Sequence, residues 1–310
     1  MTRSVAVPNF RDSIRELTID KIDDYFTFVA NVATGKFGTV TREKLTQKGA
    51  DLILKNHSGL IRPGSAFALK RVVVNNVNEM KVLEEEIINL KRMYLRGSVR
   101  YYGCFITEFI KDGPEQHAWI VTSFIDGKNL QQLIDDKAKW FDRHQKNLIA
   151  YKLAYAILEC HSNGIVHRDL KPSNIMVPID IKSKEADVIL VDFGLACNIS
   201  KCSLSSTCSN TRGTPGYIDV HEDEYHGIDE LDMTLLRQSD WWAYGQILVY
   251  MYTNTELFKF VSKPPYNILA DIPKRLHGML QMLTDPSLHP DERPTPGEII
   301  KSVTKSRYAK

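Results

Sequence analysis

The stretch "IVHRDLKPSNIM", residues 165–176, packs His167, Arg168, Asp169, Lys171 and Asn174 into one short loop behind an apolar helical run. Ionised groups set beside apolar helices are costly unless they are paired or used. About two dozen residues further on, "VILVDFGLA" runs apolar residues straight into Asp192, the pattern of a buried strand that ends by presenting a carboxylate. Either motif alone is also what a self-satisfied polar loop looks like, and at this point both readings stand.

The elements that must hold these groups divide the chain. Residues 25–42 carry β-branched and aromatic residues on both sides of a Gly-containing turn, a hairpin pattern, and "SAFALKRVVV" follows as a further strand. In "NEMKVLEEEIINLKRM" the apolar residues Met80, Leu83, Ile87, Leu90 and Met93 recur at helical spacing. Two more strands, "VRYYGCF" and "AWIVTSFI", precede Asp126-Gly127, after which the texture turns helical. "NLIAYKLAYAILECHSNGI" is expected to be a buried helix stopped at Asn163-Gly164. "SDWWAYGQILVYMYT" is expected to be another. A strand-rich first third and a helical remainder predict an α+β architecture with a seam near residues 123–127.

At 310 residues with 43% hydrophobic content, the chain is long enough for two lobes with sizeable cores. Lys plus Arg at 40 and Asp plus Glu at 38 nearly cancel, so no overall field draws it to nucleic acid or an anionic membrane. With no leader pattern and no spanning apolar run, the expectation is an intracellular, soluble protein of the cytoplasm or nucleus. Five cysteines are an odd number in a long chain, so reduced thiols are the default expectation. Cys197, Cys202 and Cys208 lack the paired spacing of a zinc site.

"HRDLKPSN" followed by "DFG" resembles the catalytic and metal-binding loops of the eukaryotic protein kinase family, in order and in residue type. The likeness extends over nearly the whole chain. "VATGKFGTV" is similar to the glycine-rich phosphate loop, "FALK" ends at Lys70 where the strand lysine belongs, and "SDWWAYG" and "HPDERPT" match large-lobe features. It implies a bilobal kinase fold: an N-terminal extension over 1–24, a small lobe over 25–125, a large lobe over 126–303 and a tail over 304–310.

The implied chemistry is transfer of the γ-phosphate of ATP to Ser or Thr hydroxyls of protein substrates, with Mg²⁺, or Mn²⁺ in its place. Phosphoryl transfer passes through a loose transition state, so the protein chiefly positions reactants and neutralises charge. By resemblance, Lys70 faces the phosphates and is held by Glu86, with Glu85 as the alternative. Asp169 orients the substrate hydroxyl, Lys171 reaches the same phosphoryl oxygens, and Asn174 and Asp192 hold the metal. The nucleotide contacts implied are Val32, Ala33, Thr34, Gly35, Lys36, Phe37, Gly38, Thr39, Val40, Ala68, Lys70, Thr122, Ser123, Ile125 and Met176, with adenine between the lobes. Leu90, Tyr101, His167 and Phe193 would stack as the family's regulatory column, tied by Asp240. Lys171 and Thr214 point to the serine/threonine branch.

The pattern also departs from the family. Ala33 stands at the first glycine of the loop, and "DVHE" replaces Ala-Pro-Glu after "GTPGYI". Glu222 is the expected partner of Arg293, since a carboxylate pairs bidentately with a guanidinium; His221 holds the strict alignment. "DLILKNHSGLIRPGS" and "DIKSKEA" are read as solvated loop insertions. Residues 1–24 are expected to hold a short helix on the small lobe or a tail without fixed structure. The hydroxyl-rich stretch from Cys197 would be an activation segment, phosphorylated by a regulatory kinase or by the protein itself. The candidates are Ser203, Ser205, Ser206, Thr207, Ser209 and Thr211, with Thr207 to Thr211 favoured. Two rivals are a pseudokinase, which usually lacks one of Lys70, Asp169 and Asp192, and a small-molecule kinase, which lacks the "GTPGY" segment. No nucleic-acid or membrane partner is expected.

Overall fold

In the computed structural model, residues 17–19, 21–35, 38–54, 61–93, 97–107, 116–137, 141–180, 185–199, 213–221, 233–256 and 270–307 are described. The chain forms two compact units, Met1–Tyr94 with Val99–Ile125, and Leu95–Ser98 with Asp126–Lys310.

The first unit is a twisted sheet with one long helix. Strands β1 (Leu17–Ile19), β2 (Phe26–Gly35), β3 (Gly38–Leu45), β4 (Ala66–Val74), β5 (Tyr101–Thr107) and β6 (Gln116–Ser123) lie in the order β1-β5-β6-β4-β3-β2. All neighbours are antiparallel except β1, which pairs in parallel with β5, Leu17 opposite Phe105. The described part of the N-terminal extension is thus a strand and a short 3₁₀ turn, Ile22–Asp24, rather than a helix. Unpaired edge groups on β5 give three residues of backbone a better use in the ladder than in an isolated helical turn.

The insertion ahead of the lysine strand is also more than a solvated loop. Helix α1 (Gln47–Leu54) seats Ala50 and Ile53, 0% and 3% exposed, in a core with Phe26, Leu45, Phe67, Leu69, Phe105 and Val121. The apolar half of "DLILKNHSGLI" is what the polar reading passed over. Helix α2 (Val77–Arg92) is capped by Asn76, whose Oδ1 accepts from the backbone N–H groups of Asn78 and Glu79, both at 3.0 Å. It buries Met80, Leu83, Ile87 and Leu90 on one side, with Met93 at its end.

Gly38 closes the β2–β3 hairpin opposite Gly35, at φ +128. A Cβ built there falls 2.0 Å from the carbonyl oxygen of Arg71 on the neighbouring strand, so this glycine is required by sheet packing. Gly38→Ala should therefore cost about 1–3 kcal/mol of stability, measurable by denaturant unfolding.

The second unit is built on α4 (Arg143–Ser162) and α5 (Met233–Thr253), with α3 (Leu130–Asp136), α6 (Lys274–Leu283) and α7 (Pro296–Arg307) around them. Helix α4 ends where Gly164 takes φ +73. Tyr244 on α5, fully buried, donates its hydroxyl to the carbonyl of Ala150 on α4 at 3.0 Å. Short ribbons cover this helical core. Strands β7 (Lys128–Asn129), β9 (Ile175–Val177) and β12 (Ile189–Leu190) form one, and β8 (Ile165–Val166) pairs with β13 (Cys197–Asn198) in another. "DIKSKEA" opens and closes a two-stranded ribbon of β10 (Ile179–Asp180) and β11 (Glu185–Ala186), with Ala186 buried.

One cysteine departs from the reduced expectation. Cys104 and Cys160 are free thiols, but Cys197 is disulfide-bonded. It is 1% exposed on β13.

Candidate active site

In the first unit, β4 and α2 bring a cation and a carboxylate together. Lys70 Nζ donates to Glu86 Oε1 at 2.8 Å, with side-chain exposures of 14% and 7%. Of the three consecutive glutamates, Glu86 turns inward because it lies one turn before Leu90 on the helix's buried face. Val40 stands opposite Lys70 in the β3–β4 ladder, and Ala68 opposite Thr122 in the β4–β6 ladder; the Thr122 hydroxyl donates to the Ala68 carbonyl at 3.5 Å. Ser123 gives its backbone N–H to Arg100 O at 2.8 Å and stands opposite Phe67 in the β4–β6 ladder. On the hairpin, Val32 is 51% exposed, and Ala33 and Thr34 are also exposed. Thr39 and Val40 are half-buried, while Lys36 and Phe37 lie outside the described residues.

In the second unit, the loop after β8 is knotted around one carboxylate. Asp169, 4% exposed, accepts from Lys171 Nζ at 2.9 Å and from Asn174 Nδ2 at 3.0 Å on Oδ2, and from the Thr214 hydroxyl at 2.6 Å on Oδ1. Lys171 also donates to Thr214 Oγ1 at 2.7 Å, closing a triangle of Asp169, Lys171 and Thr214. Asn174 spends its Nδ2 on the backbone and side-chain oxygens of Asp169, at 2.9 and 3.0 Å, and so turns an amide oxygen to other use. Asp192 is held at φ +64 and Arg168 at φ +63, left-handed conformations that side chains larger than glycine adopt only under constraint.

The constraint is visible in what lies beneath. Asp240, on α5 and 1% exposed, accepts from the backbone N–H groups of His167 and Arg168 at 2.8 and 2.9 Å, and from His161 Nε2 at 2.9 Å. His167 accepts the Asp169 N–H on Nδ1 at 3.3 Å and faces the Val191 carbonyl with Nε2 at 3.1 Å, an arrangement that assigns the proton to Nε2. Its ring packs on Phe193 at 4.7 Å. Sequence reasoning supplied Asp240 but not His161, whose signal was only its place at the end of an apolar helix.

Burial by itself pushes the Asp240 carboxyl up, and the His161 hydrogen bond, the charge attraction of His161 and His167 and the His167 backbone N–H together outweigh it, leaving the group below its ordinary value. A carboxyl lowered on folding stabilises fully above its unfolded pKa and loses that contribution as pH falls through the folded value. The stability gap between the native chain and Asp240→Asn should therefore shrink as pH falls below about 4, as read by denaturant unfolding at each pH.

Arg293 takes a partner that the sequence did not disclose. Its Nη1 and Nη2 grip both carboxylate oxygens of Asp219, the Nη2 bond at 2.9 Å, and the two side chains are 0% exposed. The guanidinium lies over the Trp242 ring at 4.7 Å, and Nη2 reaches the Leu288 carbonyl at 3.3 Å. Asp219 thus does what was expected of Glu222 or His221. His221 instead faces the Pro286 carbonyl at 3.2 Å and the His289 ring at 6.0 Å. Glu222, Thr207 and Thr211 lie outside the described residues. The available signal was that Asp219 is the single carboxylate in "GTPGYIDVH".

These groups fall within a recognised domain: the protein kinase domain profile matches residues 59–302, more than half of the chain. The chain belongs to the protein kinase family. This kinase is similar to calmodulin-binding receptor-like cytoplasmic kinase 1 of Arabidopsis thaliana, 28% identical over 74% of the chain and 43% of that protein. It is also similar to the serine/threonine-protein kinase RUNKEL of the same plant, 31% identical over 62% of the chain and 12% of that protein. The kinase spans less than half the length of these curated relatives. Members of the family use ATP and a divalent cation and act on proteins. Among the described residues, no helix is long and apolar enough to cross a membrane.

Proposed function

We propose that this chain is an active serine/threonine protein kinase that transfers the γ-phosphate of ATP to Ser or Thr hydroxyls of protein substrates. The observation that carries the reading is the triangle of Asp169, Lys171 and Thr214. The substrate hydroxyl oxygen forms its bond to the γ-phosphorus as the bond to the β-phosphate oxygen breaks, ADP leaves, and the hydroxyl proton passes to Asp169. Thr214 and Lys171 fix the carboxylate's two oxygens, so what Asp169 contributes is mainly position. Lys171 carries positive charge beside it, and Lys70, steadied by Glu86, offers a second cation to the nucleotide phosphates.

The donor set fits Mg²⁺. Among the described residues no group of three or more His, Cys, Asp or Glu side chains could cage a metal. Mg²⁺ asks for few protein ligands and keeps water and phosphate oxygens, so Asn174 and Asp192 suffice. When bound, the ion would neutralise charge on the triphosphate. Val32 to Val40, Ala68, Thr122, Ser123, Ile125 and Met176 are proposed as the nucleotide-binding residues. Phosphorylation at Thr207 or Thr211 is proposed as the control. The Arabidopsis relative named a cytoplasmic kinase supports an intracellular setting.

The test is incubation of the purified chain with γ-labelled ATP, Mg²⁺ and a peptide library holding Ser, Thr or Tyr acceptors. Label on Ser and Thr peptides is expected. No transfer sinks the enzyme reading, and label confined to Tyr sinks the substrate class.

A further inference from the structure

Strand β2 ends the sheet order, so among the described residues only β3 pairs with it, and its outer row of N–H and C=O groups lies along an open edge. Soluble proteins blunt such edges with short strands, charges, prolines or bulges, because a long apolar edge invites another strand. Here the strand is ten residues long, and "FTFVANVATG" holds no Lys, Arg, Asp, Glu or Pro. Thr27 to Thr34 are exposed without a break, with Phe28 at 57%, Val29 at 40% and Val32 at 51%.

The order of these residues says what covers them. Reflected about the midpoint between Ala30 and Asn31, "TFVANVAT" places Thr27 opposite Thr34, Phe28 opposite Ala33, Val29 opposite Val32 and Ala30 opposite Asn31. That is the pairing two copies make when their β2 strands run antiparallel across a two-fold axis. β-Branched pairs and Thr–Thr pairs are favourable neighbours across a sheet, and like charges are not; an edge without charge meets its own copy without repulsion. The irregularities obey the same reflection. The β2–β3 register shifts between Phe28 and Ala30 and again between Asn31 and Ala33, leaving Val29 and Val32 without a partner on β3. Bulges bend and twist a strand. A regular foreign strand therefore fits this edge poorly, whereas a second copy brings the same bends to the matching places.

We propose that β2 is a homodimer interface: two copies of this chain join their sheets edge to edge through antiparallel β2 strands, with Val29 facing the partner's Val32. The contact uses the same strand on both copies, so it closes at two and does not propagate into a fibre. Thr27 to Thr34 give far fewer residues a side than the roughly 20–30 of a standard interface, which makes this a weak, reversible dimer with a Kd of roughly 10–100 μM. Pairing engages the backbone edge, while side chains in a strand stand off its two faces. The inference does not depend on the kinase reading.

The test is sedimentation velocity of the full chain over a concentration range that brackets this Kd. The native chain should pass from monomer to dimer across the range. Val29→Lys, which sets a cation in the paired edge, should weaken association at least tenfold and leave a monomer. Phe28→Lys is the second variant, and thermal unfolding shows that each has folded. Met282→Lys removes another exposed apolar side chain, 45% exposed on α6, and should dimerise as the native chain does. For the register, a chain carrying Thr27→Cys is mixed with one carrying Thr34→Cys, treated with a short bismaleimide and mapped by mass spectrometry. A crosslink between positions 27 and 34 of different chains is expected, and only in the mixture. A native chain that stays monomeric throughout overturns the proposal. So does a dimer that survives both β2 substitutions, one that Met282→Lys also dissolves, or a mixture without that crosslink.

Discussion

Asp169→Asn is expected to lower kcat for phosphotransfer by roughly 10²- to 10⁴-fold, the usual worth of a positioned proton acceptor, while leaving the fold intact. An amide can turn its oxygen toward Lys171 and Asn174 and its NH₂ toward the Thr214 hydroxyl, which can accept as well as donate. The three neighbours therefore stay in place. What disappears is the negative charge and the capacity to take the hydroxyl proton. Steady-state assays with labelled ATP and thermal unfolding of the same preparation check both halves. A kcat within tenfold of the native chain would remove Asp169 from the chemistry.

Arg293→Ala is expected to destabilise the second unit by about 3–5 kcal/mol, the usual cost of removing one partner from a buried ion pair. The Asp219 carboxylate, 0% exposed, would lose both guanidinium bonds, and Trp242 its stacked cation. At ~2–4 °C per kcal/mol for a domain of this size, the melting temperature should fall by about 10 °C. Replacing both partners with apolar residues of similar volume, Asp219→Leu with Arg293→Met, should recover most of the loss, because no buried charge remains unpaired. Differential scanning calorimetry of the single and double variants makes the comparison. If Arg293→Ala and the double variant melt together, the cost lies in packing on Trp242 and not in the ion pair.

The local patterns reached far into this chain. Period 3.6 in "MKVLEEEIINL" found α2 and its buried side, because a helix that packs on one face must repeat its apolar residues at that spacing. The same logic selects Glu86, whose side must match that of Leu90. The polar loop around Asp169 and the strand before Asp192 were legible because each shows its pattern within a few consecutive residues. The insertion was misread for the opposite reason. Gly, Asn, His and Pro residues around "DLILK" outweighed an apolar set that gains its value only when Phe26 and Phe105 arrive from distant strands.

By itself the sequence determined the types of the strongly patterned elements, α2, α4 and α5 among them, and it set His167, Arg168, Asp169, Lys171 and Asn174 in one short loop, all properties of short segments. Tertiary structure alone decided which carboxylate meets Arg293, which cysteine is oxidised, that the N-terminal residues pair as a strand, and why Gly38 can carry no Cβ. Each depends on groups remote in the chain: 74 residues separate Asp219 from Arg293, and 33 separate Gly38 from the carbonyl it must clear. Pairing energies act over a few ångströms, so partners brought together by folding leave no spacing rule in the sequence for a reader to find.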